Sequence, residues 1–341
     1  MLRVPVAGQF RSYRAIVARG ATLALLATAL LSSSVAFGQS TSVQSIADFF
    51  SVAITPAAQL IVGGKGLLMV STDGGHTWER KTLHERNGGP SLQDLDLLTI
   101  RFTPDGTTGW IGGENGLISY TADGGRTWQP RNAPFSDQNI FRVVPLDAQK
   151  ACAVGTDGTL LCTSDAGVHW NSHRFDQYID LNDVTFVGND GWAVGAYRTI
   201  LHTGDGGATW QLQNGGNRKV LDEESYFAVA FSDSQHGWVT GLAGEILSTS
   251  DSGHTWRPYA GGGSRPSLFA AVGAWPALWL GGKRGSILER SEDDHWREVK
   301  ISFDDITDIA FSGKLGFAVG LGGTILRTQD GGKTWQAVAV Q

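Results

Sequence analysis

The chain is 341 residues long, with 46 Gly, 12 Trp, only 2 Cys and a net charge of −6. An acidic balance argues against nucleic acid as a general partner, since phosphate binding needs clustered Lys and Arg. Length alone would suit two domains, an expectation that the internal repeat replaces.

Residues 1–38 read as a cleaved secretory signal peptide. Arg3, Arg11, Arg14 and Arg19 form a basic leader without an acidic residue, and the apolar run Ala21 to Leu31 is too short for a stable membrane anchor. Ala36-Phe37-Gly38 then supplies small residues where a signal peptidase reads. No cysteine follows that site, which argues against a lipid anchor there. Without the leader the chain carries 23 Lys and Arg against 33 Asp and Glu, a net of −10. No later apolar stretch approaches membrane-spanning length, so the expected product is exported and not membrane-spanning, in a periplasm or outside the cell.

Residues 39–341 are one repeat array. The octets Ser71–Trp78, Thr121–Trp128, Thr163–Trp170, Thr203–Trp210, Thr249–Trp256 and Thr328–Trp335 share the pattern [ST]-x-D-x-G-x-[TH]-W, and Arg290–Trp296 is a worn seventh copy. Their tryptophans, Trp78, Trp128, Trp170, Trp210, Trp256, Trp296 and Trp335, lie 39 to 50 residues apart. A period of that size marks a repeat architecture. Within each unit, alternating β-branched and aromatic runs of four to six residues are separated by Gly and Asp turns, the pattern of antiparallel hairpins. Helical periodicity is absent. Four strands per unit, repeated seven times, predict an all-β, seven-bladed β-propeller.

The recurring residues have work to do in the turn itself. Asp73, Asp123, Asp165, Asp205, Asp251 and Asp330 can accept hydrogen bonds from backbone N–H groups of their own turns. The glycines permit positive φ, and the Trp can insert its ring between neighbouring blades. These six aspartates are therefore assigned a structural role.

In the third repeat, Cys152 and Cys162 are expected to sit on the two strands of one hairpin turning at 155–158. An oxidising compartment allows a disulfide. A two-residue turn there would place the thiols on opposite faces, too badly aimed to bond, so the sequence leaves the pairing open, with the turn arguing against it.

The pattern [ST]-x-D-x-G-x-[TH]-W resembles the Asp-box, or BNR, repeat of sialidases and related propellers. The fuller form, as in Gly191-Trp192-Ala193-Val194-Gly195 and Gly323-Thr324-Ile325-Leu326-Arg327-Thr328, is similar to the photosystem II assembly and stability factors, the HCF-type or Ycf48-like lumenal propellers. The resemblance covers Phe49 to Gln341. It implies an exported seven-bladed propeller that binds a nascent membrane-protein partner through a basic surface and performs no catalysis.

Function is more often found where repeats disagree. Extra residues fall around Lys81 to Leu95 and around Asn214 to Glu224. The last glycine of a G-x-x-G turn is Gly66, Gly116, Gly158, Gly244, Gly285 and Gly323, but the fourth repeat has Arg198 there, after Tyr197. This suggests a changed turn with an exposed guanidinium near the channel mouth. Tyr197, Arg198, Arg218, Lys219, Tyr226, Lys283 and Arg284 would form a basic and aromatic docking site on the face opposite the Asp-boxes. The worn box, Ser291 to His295, reads as a decayed turn.

Catalytic constellations are missing. The string Phe141-Arg142-Val143-Val144-Pro145 has one residue too many for the sialidase Arg-x-Pro element and follows the second box. The acidic candidates for a glycosidase pair, Asp94/Asp96, Asp222/Glu223/Glu224 and Asp304/Asp305, have no companion motif. His169/His173 is the only close histidine pair and lacks a Cys or carboxylate companion for metal. No phosphate-binding loop follows the Gly-rich runs. The sequence therefore points to a monomeric, non-catalytic binding or assembly platform for an envelope or membrane protein, without cofactor or metal. A glycan-active Asp-box protein, sialidase-like hydrolase or lectin, is the alternative.

Overall fold

A computed structural model of the chain describes residues 47–339, apart from 82, 84–91, 174, 177, 217–223, 260–265, 275–276, 292 and 294. The leader, most of the first insertion, and Arg218 and Lys219 lie outside the described residues. Blade 1 comprises β1 (Phe49–Ile54), β2 (Gln59–Gly63), β3 (Leu67–Ser71) and β4 (Glu79–Lys81), hydrogen-bonded in that order as an antiparallel sheet. Six more four-stranded sheets follow, with inner strands Leu97–Phe102, Ile140–Pro145, Leu181–Val187, Tyr226–Phe231, Leu268–Ala274 and Ile306–Ser312. Each inner strand lies beside those of the blades before and after it, and the seventh lies beside the first. The protein is a seven-bladed β-propeller.

Both faces of a blade are covered by neighbours, so the apolar runs of the inner three strands are almost wholly buried, while β4 is exposed throughout. Seven apolar clusters fill the joints between blades. One of them, Leu60, Val62 and Leu68 with Leu97, Ile100 and Trp128, joins blades 1 and 2. Leu83 and Leu95, at either end of the first insertion, are buried in the same joint.

The strand order places the Asp-box turns on the face where the inner strands end. The G-x-x-G turns and the links between blades emerge on the opposite face, as the sequence predicts. The box tryptophans pack against the preceding blade. Trp170 meets Trp110 edge-on at 5.5 Å, and Trp335 meets Trp279 at 6.0 Å.

The second glycine of the box is pressed against that same neighbour. A Cβ on Gly167 would collide with Trp110, on Gly253 with Trp192, and on Gly332 with Trp279. In blade 4 the partner of Gly207 is a disulfide.

Cys152 and Cys162 are joined, contrary to the expectation of opposed faces. The turn is longer than two residues: Gly155 N–H donates to Thr159 O, and Thr159 N–H to Thr156 O, which brings Cys152 directly opposite Cys162. They occupy a pair without mutual backbone hydrogen bonds, the closer kind in an antiparallel ladder, with Cα atoms 4.2 Å apart.

Two measurements check this joint. Replacing both cysteines by serine should lower stability by about 2–3 kcal/mol, the entropy of a short closed loop, and wild type unfolded under reductant should match it. Gly207→Ala should destabilise clearly more than Gly188→Ala. Both have positive φ, but Gly188 has open space around it, whereas a Cβ on Gly207 would lie 2.7 Å from both sulfurs. Urea denaturation of the two variants gives the comparison.

Candidate functional site

The second residue of five of the seven inner strands supplies a plug, blades 4 and 7 having Asn182 and Thr307 there. Phe50, Leu98 and Phe141 form one buried cluster, and Phe227 packs edge-on to Phe269 at 5.4 Å. These five side chains are almost wholly buried and fill the channel toward the G-x-x-G face.

The third residue supplies a charged belt beneath the plug. Here the strands carry Ser51, Thr99, Arg142, Asp183, Ala228, Ala270 and Asp308, each placed at or beside a bulge in the ladder. Arg142 Nε donates to Asp183 Oδ1, and Arg142 Nη1 lies 4.0 Å from Asp308 Oδ1. Asp308 receives Arg101 from the fifth position of blade 2, with Nη1 to Oδ2 at 2.9 Å and Nη2 to Oδ1 at 3.0 Å. It also accepts Ser51 Oγ at 2.6 Å and Val52 N–H at 3.1 Å. Asp183 Oδ2 accepts Val229 N–H at 3.0 Å. One network of two arginines and two aspartates thereby reaches from blade 7 through blades 1, 2, 3 and 4 to blade 5.

Below the belt, the second halves of all seven inner strands line a well of about 470 Å³ opening on the Asp-box face. Neither Tyr nor Glu is among its lining residues. Its one wall carboxylate, Asp183, is committed to Arg142 and to backbone N–H groups.

On the opposite face, the residue just before an inner strand accepts a backbone hydrogen bond from the previous blade's turn. Asp96 takes Lys65 N–H, Asn139 takes Asn115, Asp180 takes Asp157, Ser267 takes Ala243, Asp305 takes Arg284, and Asp48 takes Gly322. Asp96 is the strained member. Burial foremost, and then Glu114 and Asp48, outweigh the Lys65 bond and push it up to about 6.

The sequence-predicted docking residues occupy this face unevenly. Arg198 does not change its turn: Tyr197 and Arg198 have φ of 55° and 56°, like Asp157 and Gly158 in blade 3 at 56° and 68°. A glycine is dispensable because the abutting link supplies one instead. Gly215 lies so close to the Arg198 carbonyl that a Cβ there would collide with it. The Arg198 guanidinium is half-buried and paired with Glu224 and Glu245, not a bare exposed charge. Tyr226 is 2% exposed, in the core between blades 4 and 5, because it opens an inner strand. Lys283 and Arg284 are exposed on the blade 6 turn, which the blade 5 turn separates from Tyr197 and Arg198.

Beside that turn is a residue that sequence reasoning missed. Phe303 is 90% exposed and Ile301 40%, in the link that runs against Gly285. The signal available was an Ile-Ser-Phe stretch in a link otherwise rich in acids.

The Asp-boxes spend their polar groups internally. Asp330 Oδ1 accepts Thr328 Oγ1 at 2.8 Å and Thr334 N–H at 2.9 Å, and Oδ2 accepts Thr334 Oγ1 at 2.6 Å. These bonds, Thr334 first, hold Asp330 down to about 2. Asp73, Asp123, Asp205 and Asp251 repeat the pattern, and His169 replaces the threonine at Asp165. The worn box keeps only Ser291 N–H to His295 O and Ser291 Oγ to the same oxygen among its described residues. No group of three or more His, Cys, Asp or Glu among the described residues could hold a metal ion. No helix there is long and apolar enough to cross a membrane.

The sequence model of the family described as "Photosynthesis system II assembly factor YCF48" matches residues 29–130, 90–174 and 146–218, together more than half of the chain. The chloroplastic photosystem II stability/assembly factor HCF136 of Arabidopsis thaliana is 33% identical over 73 residues, 20% of this chain and 18% of that protein. The alignment thus spans about a fifth of either protein. A solved structure described as YCF48 bound to D1 peptide superposes with a TM-score of 0.64 at 21% identity, over 84% of this chain and 94% of that one. The GH74 xyloglucanase from Xanthomonas campestris gives 0.66 at 13% identity, over 86% of this chain and 54% of its own. At such identities the structural likenesses show the fold alone.

The shifted Asp96 makes a pH prediction. Its folded pKa of about 6 lies above the unfolded value of about 4, so the folded protein binds the proton more tightly. Stability from this group is highest below about pH 4 and falls as pH rises through 6. Asp96→Asn, which copies Asn139 of the next blade, should flatten that slope and raise stability at pH 7 in denaturation series across the window.

Proposed function

Because this chain belongs to the photosynthesis system II assembly factor YCF48 family, we propose that it is a non-catalytic assembly-factor propeller that docks a segment of an envelope membrane protein. The docking face is the one opposite the Asp-boxes. The observation that carries this reading is Phe303, a large ring left in water beside Ile301 and the Lys283-Arg284 turn. An exposed apolar group with Lys283 and Arg284 on one side and Asp304 and Asp305 on the other suits an amphipathic segment that carries both apolar and charged residues. The solved structure described as YCF48 bound to D1 peptide supports a peptide as the kind of occupant. Arg198, Tyr197 and, outside the described residues, Arg218 and Lys219 would extend the contact.

Several features favour a platform over the glycan-active alternative. The well of about 470 Å³ is on the other face, and its aspartate is engaged by Arg142 and backbone N–H groups. The turn face presents its carboxylates as caps for backbone N–H groups. The basic leader and apolar run favour an exported location, and the acidic chain is read as a monomer.

Crosslinking and pull-down from envelope extracts test the proposal. Membrane proteins captured by wild type should be lost with Phe303→Ser and with combined charge reversal at Lys283 and Arg284, and weakened by reversal at Arg198 and Arg218. Unchanged capture by all these variants would sink the docking face. Hydrolysis of a sialoside or β-glucan by pure protein would overturn the non-catalytic reading.

A further inference from the structure

We infer that the well on the Asp-box face binds a small aliphatic carboxylate against Arg101. The well is blind, since Phe50, Leu98, Phe141, Phe227 and Phe269 stop it at the far end. About 470 Å³ is within the range of small-molecule sites. Its wall toward the opening is short-chained, with Val144, Val272 and Ala310 half-buried among Thr103, Thr185 and Ser312.

Donor and acceptor supply at the floor is unequal. Each oxygen of Asp183 and Asp308 already accepts at least one hydrogen bond. Arg101 uses Nη1 and Nη2 toward Asp308, Ser51 and backbone carbonyls, while its Nε has no acceptor among the described residues. Its side chain stays 24% exposed, against 3–4% for the other three members of the belt. Arg142 Nη1 is buried without a hydrogen-bond partner just behind it. A ligand entering the well therefore meets spare guanidinium donors and no spare carboxylate. An anionic oxygen head gains charge-assisted hydrogen bonds there, whereas an ammonium head faces donors and no unengaged carboxylate oxygen. Phe102, Phe231 and Phe311, at the rim, already meet Trp128, Trp256 and Trp335 in edge-on pairs, and the short Val and Ala side chains of the wall suit an aliphatic body.

Ligand-observed NMR on the full chain, with octanoate, octanamide and octylamine as probes, tests the site. Octanoate should bind about tenfold more tightly than the amide, the margin of one charge-assisted bond, and the amine should show no saturable binding. Arg101→Met should weaken octanoate by about tenfold. Because Arg101 also belongs to the belt, Ala310→Leu provides a second variant. It narrows the well without touching an ion pair and should weaken octanoate while the circular dichroism melt stays intact. The inference is overturned by equal binding of octanoate and octanamide, by wild-type affinity in Ala310→Leu, or by no saturable octanoate binding at all. Displacement of octanoate by an acidic peptide at lower concentration would assign the well to a protein segment instead and would equally overturn it.

Discussion

Closure of the ring is the constraint on which the rest depends. Every blade is made of four consecutive strands, so no strand passes between the last blade and the first to lock them. The seam is held by side chains. Asp308 grips Ser51 and Val52, Thr307 Oγ1 donates to Phe49 O at 2.8 Å, and Asp48 caps Gly322. Phe49, Val52, Ile61 and Met69 pack there against Phe317, Val319 and Ile325. Removing one partner from a buried ionic network costs several kcal/mol, because the remaining charge is stranded. Asp308 lies at the seam and at the hub of the belt, and Arg101 and Arg142 keep its charge compensated.

The repeats are alike where the joint between blades demands it. A box glycine must pass within contact of a large group on the preceding blade, and that group can be Trp110, Trp192, Trp279, Phe317 or the Cys152–Cys162 pair. Blade 6 shows what happens when the glycines are absent. Arg290, at the position of the box threonine, places its guanidinium 5.7 Å from the Trp238 ring and 6.0 Å from Tyr259. The joint stays filled by a different chemistry, a cation over aromatic faces.

Much of this was legible because repetition averages out local ambiguity. Six copies of the Asp-x-Gly turn with its closing Trp, and a worn seventh, set the blade number, the turn face and the structural role of the box aspartates. What escaped reading depended on geometry that one repeat does not display. Arg198 looked like a broken turn because the relief came from Gly215, seventeen residues later. Tyr226 looked like surface because its burial follows from opening an inner strand. The disulfide hinged on a turn length that glycines at both ends left ambiguous. Arg142, Asp183 and Asp308 could have been found by comparing third positions of the inner strands, where charge interrupts otherwise small or apolar residues. Phe303 stood in plain view but belonged to no repeat.

The caps that join each turn to the next blade have a mechanical consequence. Blades 7 and 1 are bound by the same kind of cap, Asp48 on Gly322, that binds blades already tied by a peptide link. The molecule is topologically a closed necklace with one covalent bond missing. Tension applied to its two ends would load the seam first, peeling Phe49 from Thr307 and Ser51 from Asp308. Force from any other direction would be shared around the whole circumference.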